Sequence, residues 1–246
     1  MSELIDNKAH RVRTLKAIIK HLHAGRSPEE VKGLMKTMVG ETDYSEIVAM
    51  EQQLMAEGMP VEEIKSMCDL HAQTVRESLV QLPMAPLASG HPADTFRREN
   101  RALREVIAKA RAAMAEIGAM PDEGDASAAL LAWRQAYNGL MDIEKHYQRK
   151  ENAFFPKLEL HGITGPSKVM WAKDDDVRGM LKVLGAELRA QETGAAHWKR
   201  VASGPGAAAL HAVEEMMYKE DNILLRMCMD TFTEQDWAEI WLASPR

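Results

Sequence analysis

The chain has 246 residues, a formal net charge of -6 and 46% hydrophobic residues, enough for a sizeable buried core. The negative charge argues against a nucleic-acid partner, and the absence of any run of about 18 apolar residues argues against a membrane span. Two cysteines, Cys68 and Cys228, suit a reducing cytoplasm. Many Ala, Leu, Met and Glu residues without β-alternation predict an all-α, cytoplasmic protein.

The first 82 residues predict a small helical domain of four short helices joined by tight turns. Ser27 and Glu30 form a capping box around Pro28, and a third helix starts near Thr42 or Asp43 and ends at Gly58. The fourth helix starts at Pro60.

One face of this fourth helix carries Cys68 and His71, three residues apart. Their spacing would allow both side chains to share a metal. Two groups do not close a metal site, however, so a half-buried core cysteine is the structural alternative.

Residues 83–90 predict a linker, because two prolines and a glycine between 82 and 90 oppose a regular helix. Residues 91–246 then predict an antiparallel, up-down bundle of four long helices, followed by a short helix capped at Thr233. The expected long helices start at His91-Pro92, Ser127, Val169 and Ala207, and the expected breaks lie at 118–125, 156–166 and 203–206.

Each long helix carries side chains of metal-ligand type. His146 and Glu151 are predicted to lie on one helix. Side chains five residues apart differ in direction by about 140° around a helix, whereas side chains four residues apart differ by about 40°. Imidazole and carboxylate suit first-row transition metals, and a bundle can aim them at its axis. The candidate ligands are His91, His146, Glu151, Asp174 and Glu220, with His161 in reserve.

Each candidate also has a structural interpretation. His91 can cap a helix, and His146 and Glu151 can form an exposed charge pair. Asp174 can be the first of several acidic residues at a helix N-terminus, where negative charge is favourable. Glu220 can lie on a solvated face. These alternatives stay open on the residues alone.

Four segments together resemble the hemerythrin-like, HHE cation-binding family of four-helix bundles. They are residues 90–92, 146–156, 170–178 and 219–225. Residues 57–64 and 67–71 resemble the small helical domain of unknown function that precedes this bundle in some bacterial proteins. The two resemblances together span nearly the whole chain.

The family resemblance implies non-heme iron, usually as a carboxylate-bridged di-iron pair. His91, His146 and Glu220 keep family ligand positions, whereas Lys150, Asp174 and Met216 stand where the family has glutamate, histidine and histidine. The five candidate ligands named above are enough for one iron or manganese ion, but they are few for two irons. A Lys150 ammonium pointing into the bundle would oppose a second iron.

Three functions follow as hypotheses. The first is an iron-containing sensor or binder of O2, NO or a related small oxidant, with a protein partner or homodimer contact through residues 1–82. The second is repair of iron–sulfur clusters or iron handling under nitrosative or oxidative stress. The third is a metal-free interaction scaffold with a degenerate site. No catalytic constellation is evident, which favours a binding protein over an enzyme.

Overall fold

The computed structural model describes residues 13–14, 16–18, 30, 33, 44–66 and 87–244. These residues form helices and connecting turns without any strand, and an isolated bridge pairs Asp125 with Gly194. The predicted all-α class is therefore confirmed. Within the same ranges, none of the helices combines the length and the apolar character needed to cross a membrane.

Helices account for most of the described ranges, and three of the helical segments are π-helical turns. Residues 61–66 are also helical. The α-helices are α1 (Tyr44–Ala56), α2 (Pro92–Ala119), α3 (Ser127–Leu140), α4 (Ile143–Arg149), α5 (Phe155–Leu160), α6 (Gly165–Glu187), α7 (Ala195–Val201), α8 (Ala207–Lys219), α9 (Leu225–Thr231) and α10 (Glu234–Ala243). The π-turns are π1 (Lys150–Phe154), π2 (Ala202–Gly206) and π3 (Glu220–Leu224).

The chain divides into two compact units that do not follow the order of the sequence. One unit comprises the described residues of Met1–Pro86 together with Phe155–Ala172 and Lys219–Phe232. The other comprises Leu87–Phe154, Lys173–Tyr218 and the described residues of Thr233–Arg246. We call the second one the bundle unit. The division of the chain at residues 83–90 stays a prediction.

Helix α2 shows how the sequence builds the bundle unit. His91 accepts a hydrogen bond from the Ala93 N–H, and Pro92 occupies the first helical position, where no N–H is needed. Apolar residues recur on one face, with Phe96 and Ile107 almost completely buried. At the far end of the unit's sequence, the predicted cap of α10 is confirmed, since Thr233 and Asp236 form a capping box.

Two of the π-turns coincide with prolines. Pro156 is the second residue after π1, and Pro205 lies inside π2. A proline lacks the N–H donor of an α-helical turn and clashes with the carbonyl four residues earlier, and the wider π-turn relieves that clash. The helix therefore continues past Pro156 as α5, so the predicted end of the helix does not occur there, while the predicted kink stays a prediction.

The predicted break at residues 203–206 coincides with a kink at Gly204, whose φ of -96° and ψ of -105° are not helical, and a further break that the sequence did not predict lies earlier in the chain. Helix α6 ends at Glu187, and α7 begins at Ala195, whereas residues 203–206 lie within the π2 turn. The carbonyls exposed at this break accept side-chain hydrogen bonds: Arg134 donates to Leu188 (2.7 Å) and Ala190 (2.6 Å). Tertiary hydrogen bonds thus end a segment whose composition favours helix.

In the N-terminal region, α1 matches the third predicted helix, which was expected to end at Gly58. Gly58 adopts a φ of 93°, the left-handed conformation that favours glycine after a helix. The predicted capping box at Ser27, the linker residues before Leu87, and Cys68 with His71 lie outside the described residues.

Candidate functional site

A buried ion pair joins the π1 turn, which follows α4, to helix α6. The Lys150 Nζ lies 2.7 Å from the Asp174 Oδ1, and both side chains are 0% exposed. Lys150 begins π1, and Asp174 lies in the interior of α6, not at a helix N-terminus as its acidic run suggested. The Lys150 Nζ also lies 4.3 Å from the centre of the Tyr147 ring, a cation–π contact.

The second candidate carboxylate on this helix, Glu151, is held by an arginine. Arg178 donates from Nη1 and Nη2 to the two oxygens of Glu151 at 2.8 and 2.9 Å, a bidentate pair. Its Nε donates to Glu144 at 2.9 Å. Hydrogen bonding to Glu151, more than any other contact, raises the pKa of Arg178, so the guanidinium stays charged. The same arginine lowers the pKa of Glu144.

His146 belongs to a different hydrogen-bonded group on the same helix. Its Nδ1 lies 2.9 Å from the Glu99 Oε2, and the Arg149 Nε donates to the Glu99 Oε1 at 3.0 Å. Burial raises the pKa of Glu99, but the hydrogen bond and charge of His146, followed by Arg149, outweigh it and the net pKa is lowered. An ionised carboxylate only accepts, so the His146 Nδ1 carries the proton. Phe96 stacks on the imidazole at 4.0 Å between ring centres.

We call these side chains the charged cluster. All of its members belong to the bundle unit. The charged cluster consists of Glu99, His146, Lys150, Glu151, Asp174 and Arg178.

His91 serves as a helix cap. Its Nδ1 accepts the Ala93 N–H at 3.1 Å, so a neutral ring carries its proton on Nε2. Burial lowers the pKa of His91 despite the opposing charges of Asp94 and Glu234, which favours that neutral form. The ring lies 4.6 Å from the Trp237 ring. The structural interpretation of His91 therefore has direct support, and its role as a ligand stays a prediction.

The remaining candidates have different surroundings. Glu220 is completely buried at the start of π3, in the other compact unit. Met216 is buried on α8 in the bundle unit, and His161 is exposed with its ring 6.1 Å from that of Phe232. The described structure thus brings Asp174 to Lys150 and places His146 and Glu151 on one helix. Within the described residues, no three His, Cys, Asp or Glu side chains converge as metal ligands would.

Sequence reasoning missed the partners of these candidates. Arg178 lies in the segment 170–178 that resembles the family, but it is not among the residues predicted to have a role. Its position four residues after Asp174 places both on one side of α6, a signal that could have identified it. Glu99 and Arg149 gave no comparable signal, because their contact crosses from α2 to α4.

The fold and this charged cluster define a helical-bundle protein with ionic groups buried in its interior. A family model for the hemerythrin HHE cation binding domain matches residues 91–228. The chain belongs to this family, and cation binding is the property for which the domain is named. A family of unknown function, DUF438, matches residues 15–81. No curated protein matches the chain.

The side chains of the bundle unit, in the arrangement that the structure shows, do not fit a metal centre of the kind implied by the family. Asp174 and Glu151 are each already bound by a protein cation. His91 uses one ring nitrogen as a helix cap. His146 is the exception, since a carboxylate on Nδ1 is the usual outer-shell partner of a metal-binding histidine. One suitable ligand does not make a site.

Proposed function

We propose that this protein is a binding module rather than an enzyme, and that the cation at the centre of its HHE bundle is supplied by the protein itself. The observation that carries the proposal is the buried contact of 2.7 Å between the Lys150 ammonium and the Asp174 carboxylate. With this charge balance built in, the bundle serves as an interaction scaffold that needs no metal.

Electrostatics supports the proposal. A divalent metal placed about 4 Å from the Lys150 ammonium would be repelled by about 8 kcal/mol at an effective dielectric constant of about 20. Turning Lys150 away would avoid the repulsion, but it would leave a buried ammonium without its carboxylate. Both routes oppose a metal at Asp174.

A second candidate function is the iron-dependent binding or sensing of O2, NO or a related oxidant. The observation that favours it is the Glu99–His146 hydrogen bond, with Arg149 fixing the carboxylate. Iron, or manganese, as a single ion is the form that this arrangement favours, since Lys150 opposes a second ion. For iron–sulfur cluster repair, no described thiol offers support, because burial raises the pKa of Cys228 far above its ordinary value.

Metal content separates the two functions. We expect protein produced in iron-supplemented medium to hold less than about one-tenth of an iron or manganese ion per chain by elemental analysis. The His146→Ala variant serves as the matched control, and we expect it to give the same value as the parent protein. A content of about one ion per chain that falls in His146→Ala would contradict the scaffold and support the iron-dependent function.

The visible spectrum provides an independent readout. The ferrous-loaded protein, exposed to O2 or NO, is expected to develop no charge-transfer bands if the scaffold proposal is correct. Bands that are present in the parent and absent in His146→Ala would contradict it.

A further inference from the structure

We infer that Lys150 is the residue that excludes metal from this bundle, and that its replacement by glutamate creates a binding site for one divalent cation between positions 150 and 174. The inference rests on the proposed function, in which the Lys150 ammonium is the resident cation. The identity of the side chain at position 150 then decides whether a protein cation or a metal ion balances Asp174.

Charge is the first argument. Lys150 and Asp174 are both 0% exposed, so the protein interior must balance their charges locally. Lys150→Glu replaces one positive charge with one negative charge, and a divalent cation restores the balance. Glu151 does not compete for that cation, because Arg178 binds both of its oxygens at 2.8 and 2.9 Å.

Geometry is the second argument. A glutamate side chain is shorter than lysine by one bond to its terminal atom, and a metal–oxygen contact adds about 2.1 Å beyond that atom. A cation held by glutamate at position 150 would therefore lie slightly past the present position of the Lys150 Nζ. That nitrogen is 2.7 Å from the Asp174 Oδ1, so the cation would come within coordination distance of Asp174.

The surroundings of the ammonium already suit a cation. The face of the Tyr147 ring lies 4.3 Å from the Lys150 Nζ, and the ring attracts positive charge. A cation bound between positions 150 and 174 would keep that contact. Outside the pair, the Glu99–His146 hydrogen bond of 2.9 Å involves neither Lys150 nor Asp174.

The test compares the parent protein with Lys150→Glu, using Mn2+ as the probe. Lys150→Met, which removes the charge and keeps most of the length, is the first control. Lys150→Glu combined with Asp174→Asn is the second. Metal content is measured after desalting, and thermal unfolding is measured with Mn2+ and with a chelator.

We expect Lys150→Glu to retain about one Mn2+ per chain and to unfold about 5 °C higher or more with saturating Mn2+ than with chelator. The parent and Lys150→Met are expected to show neither effect. Adding Asp174→Asn should weaken Mn2+ retention by about tenfold or more, because one of the two charged ligands is lost.

Three results would overturn the inference or the function beneath it. A folded Lys150→Glu variant that retains no Mn2+ overturns the inference alone and leaves the scaffold proposal standing. A Lys150→Glu variant that stays unfolded even in Mn2+ also overturns it, because the metal should supply the missing charge. Retention of about one Mn2+ by the parent protein overturns the proposed function itself.

Discussion

The charged cluster and the loop of residues 188–194 both hold polar groups that are at least partly buried, but the hydrogen-bond partners of these groups differ. In the cluster, side chains of opposite charge pair with each other across helices, as Lys150 does with Asp174. At the loop, side chains donate to backbone carbonyls, as Arg134 does to Leu188 and Ala190. The hydrogen bonds at the loop therefore cap a helix end. The cluster, in contrast, places charged side chains in the core, where apolar side chains could pack equally well.

This difference separates hydrogen bonds that a helix end requires from buried charges that it does not require. A helix end needs donors for its exposed carbonyls in any bundle, so the hydrogen bonds at residues 188–194 are structural. A buried ion pair is seldom more stabilising than apolar residues of the same shape, so stability does not explain Lys150 and Asp174. Our proposal gives them a different role, in which the Lys150 ammonium is the cation that balances Asp174.

Breaking the buried pair should have the largest effect. Asp174→Ala is expected to lower the free energy of unfolding by about 3–5 kcal/mol, because the Lys150 ammonium then stays buried without its carboxylate. Urea denaturation followed by circular dichroism measures this loss. The double variant Lys150→Met with Asp174→Leu is the control, and we expect it to unfold close to the parent.

A double variant as unstable as Asp174→Ala would show that packing, and not charge pairing, explains the loss.

The helix break should respond less strongly. Arg134→Met removes two charge-assisted hydrogen bonds and keeps most of the apolar stem, so we expect a loss of about 2–3 kcal/mol in urea denaturation. Arg134→Lys should recover part of it, since an ammonium reaches one carbonyl but not both. Equal losses of unfolding free energy in Arg134→Met and Arg134→Lys would argue against a stabilising role for the hydrogen bonds from Arg134 to the two carbonyls.

An ion pair on the surface of the bundle unit should matter least. Arg111 and Glu214 are 2.5 Å apart, but their side chains are 46% and 34% exposed. We therefore expect Arg111→Ala to change the free energy of unfolding by less than about 1 kcal/mol. A loss as large as that of Asp174→Ala would contradict the expected difference between buried and exposed ion pairs in this protein.

Much of the fold follows from the sequence because its signals are local. Pro92 and His91 start α2 where predicted, and the capping box at Thr233 starts α10. The break at residues 188–194 could not be predicted, because six of its seven residues allow helix. Its position depends on Arg134 and Trp198, and the latter donates from its indole to the Glu192 carbonyl at 2.7 Å.

The site was predictable in part. Lys150 stands where the family has a glutamate, and the sequence predicts that its ammonium, if it points into the bundle, opposes a second iron. The structure buries the Lys150 side chain completely. The pairing of Glu151 with Arg178 could not be derived, because it depends on the register between two helices and on the π1 turn. The ligand roles of His91, His146, Glu151, Asp174 and Glu220 stay predictions.

Anomalous diffraction at the iron edge, from crystals grown with ferrous iron, would show directly whether a metal replaces the Lys150 ammonium. We expect no anomalous peak beside Asp174, with the Lys150 Nζ still about 2.7 Å from the Asp174 Oδ1. A peak bound by Asp174 and His146, with the Lys150 side chain turned away from Asp174, would contradict this expectation.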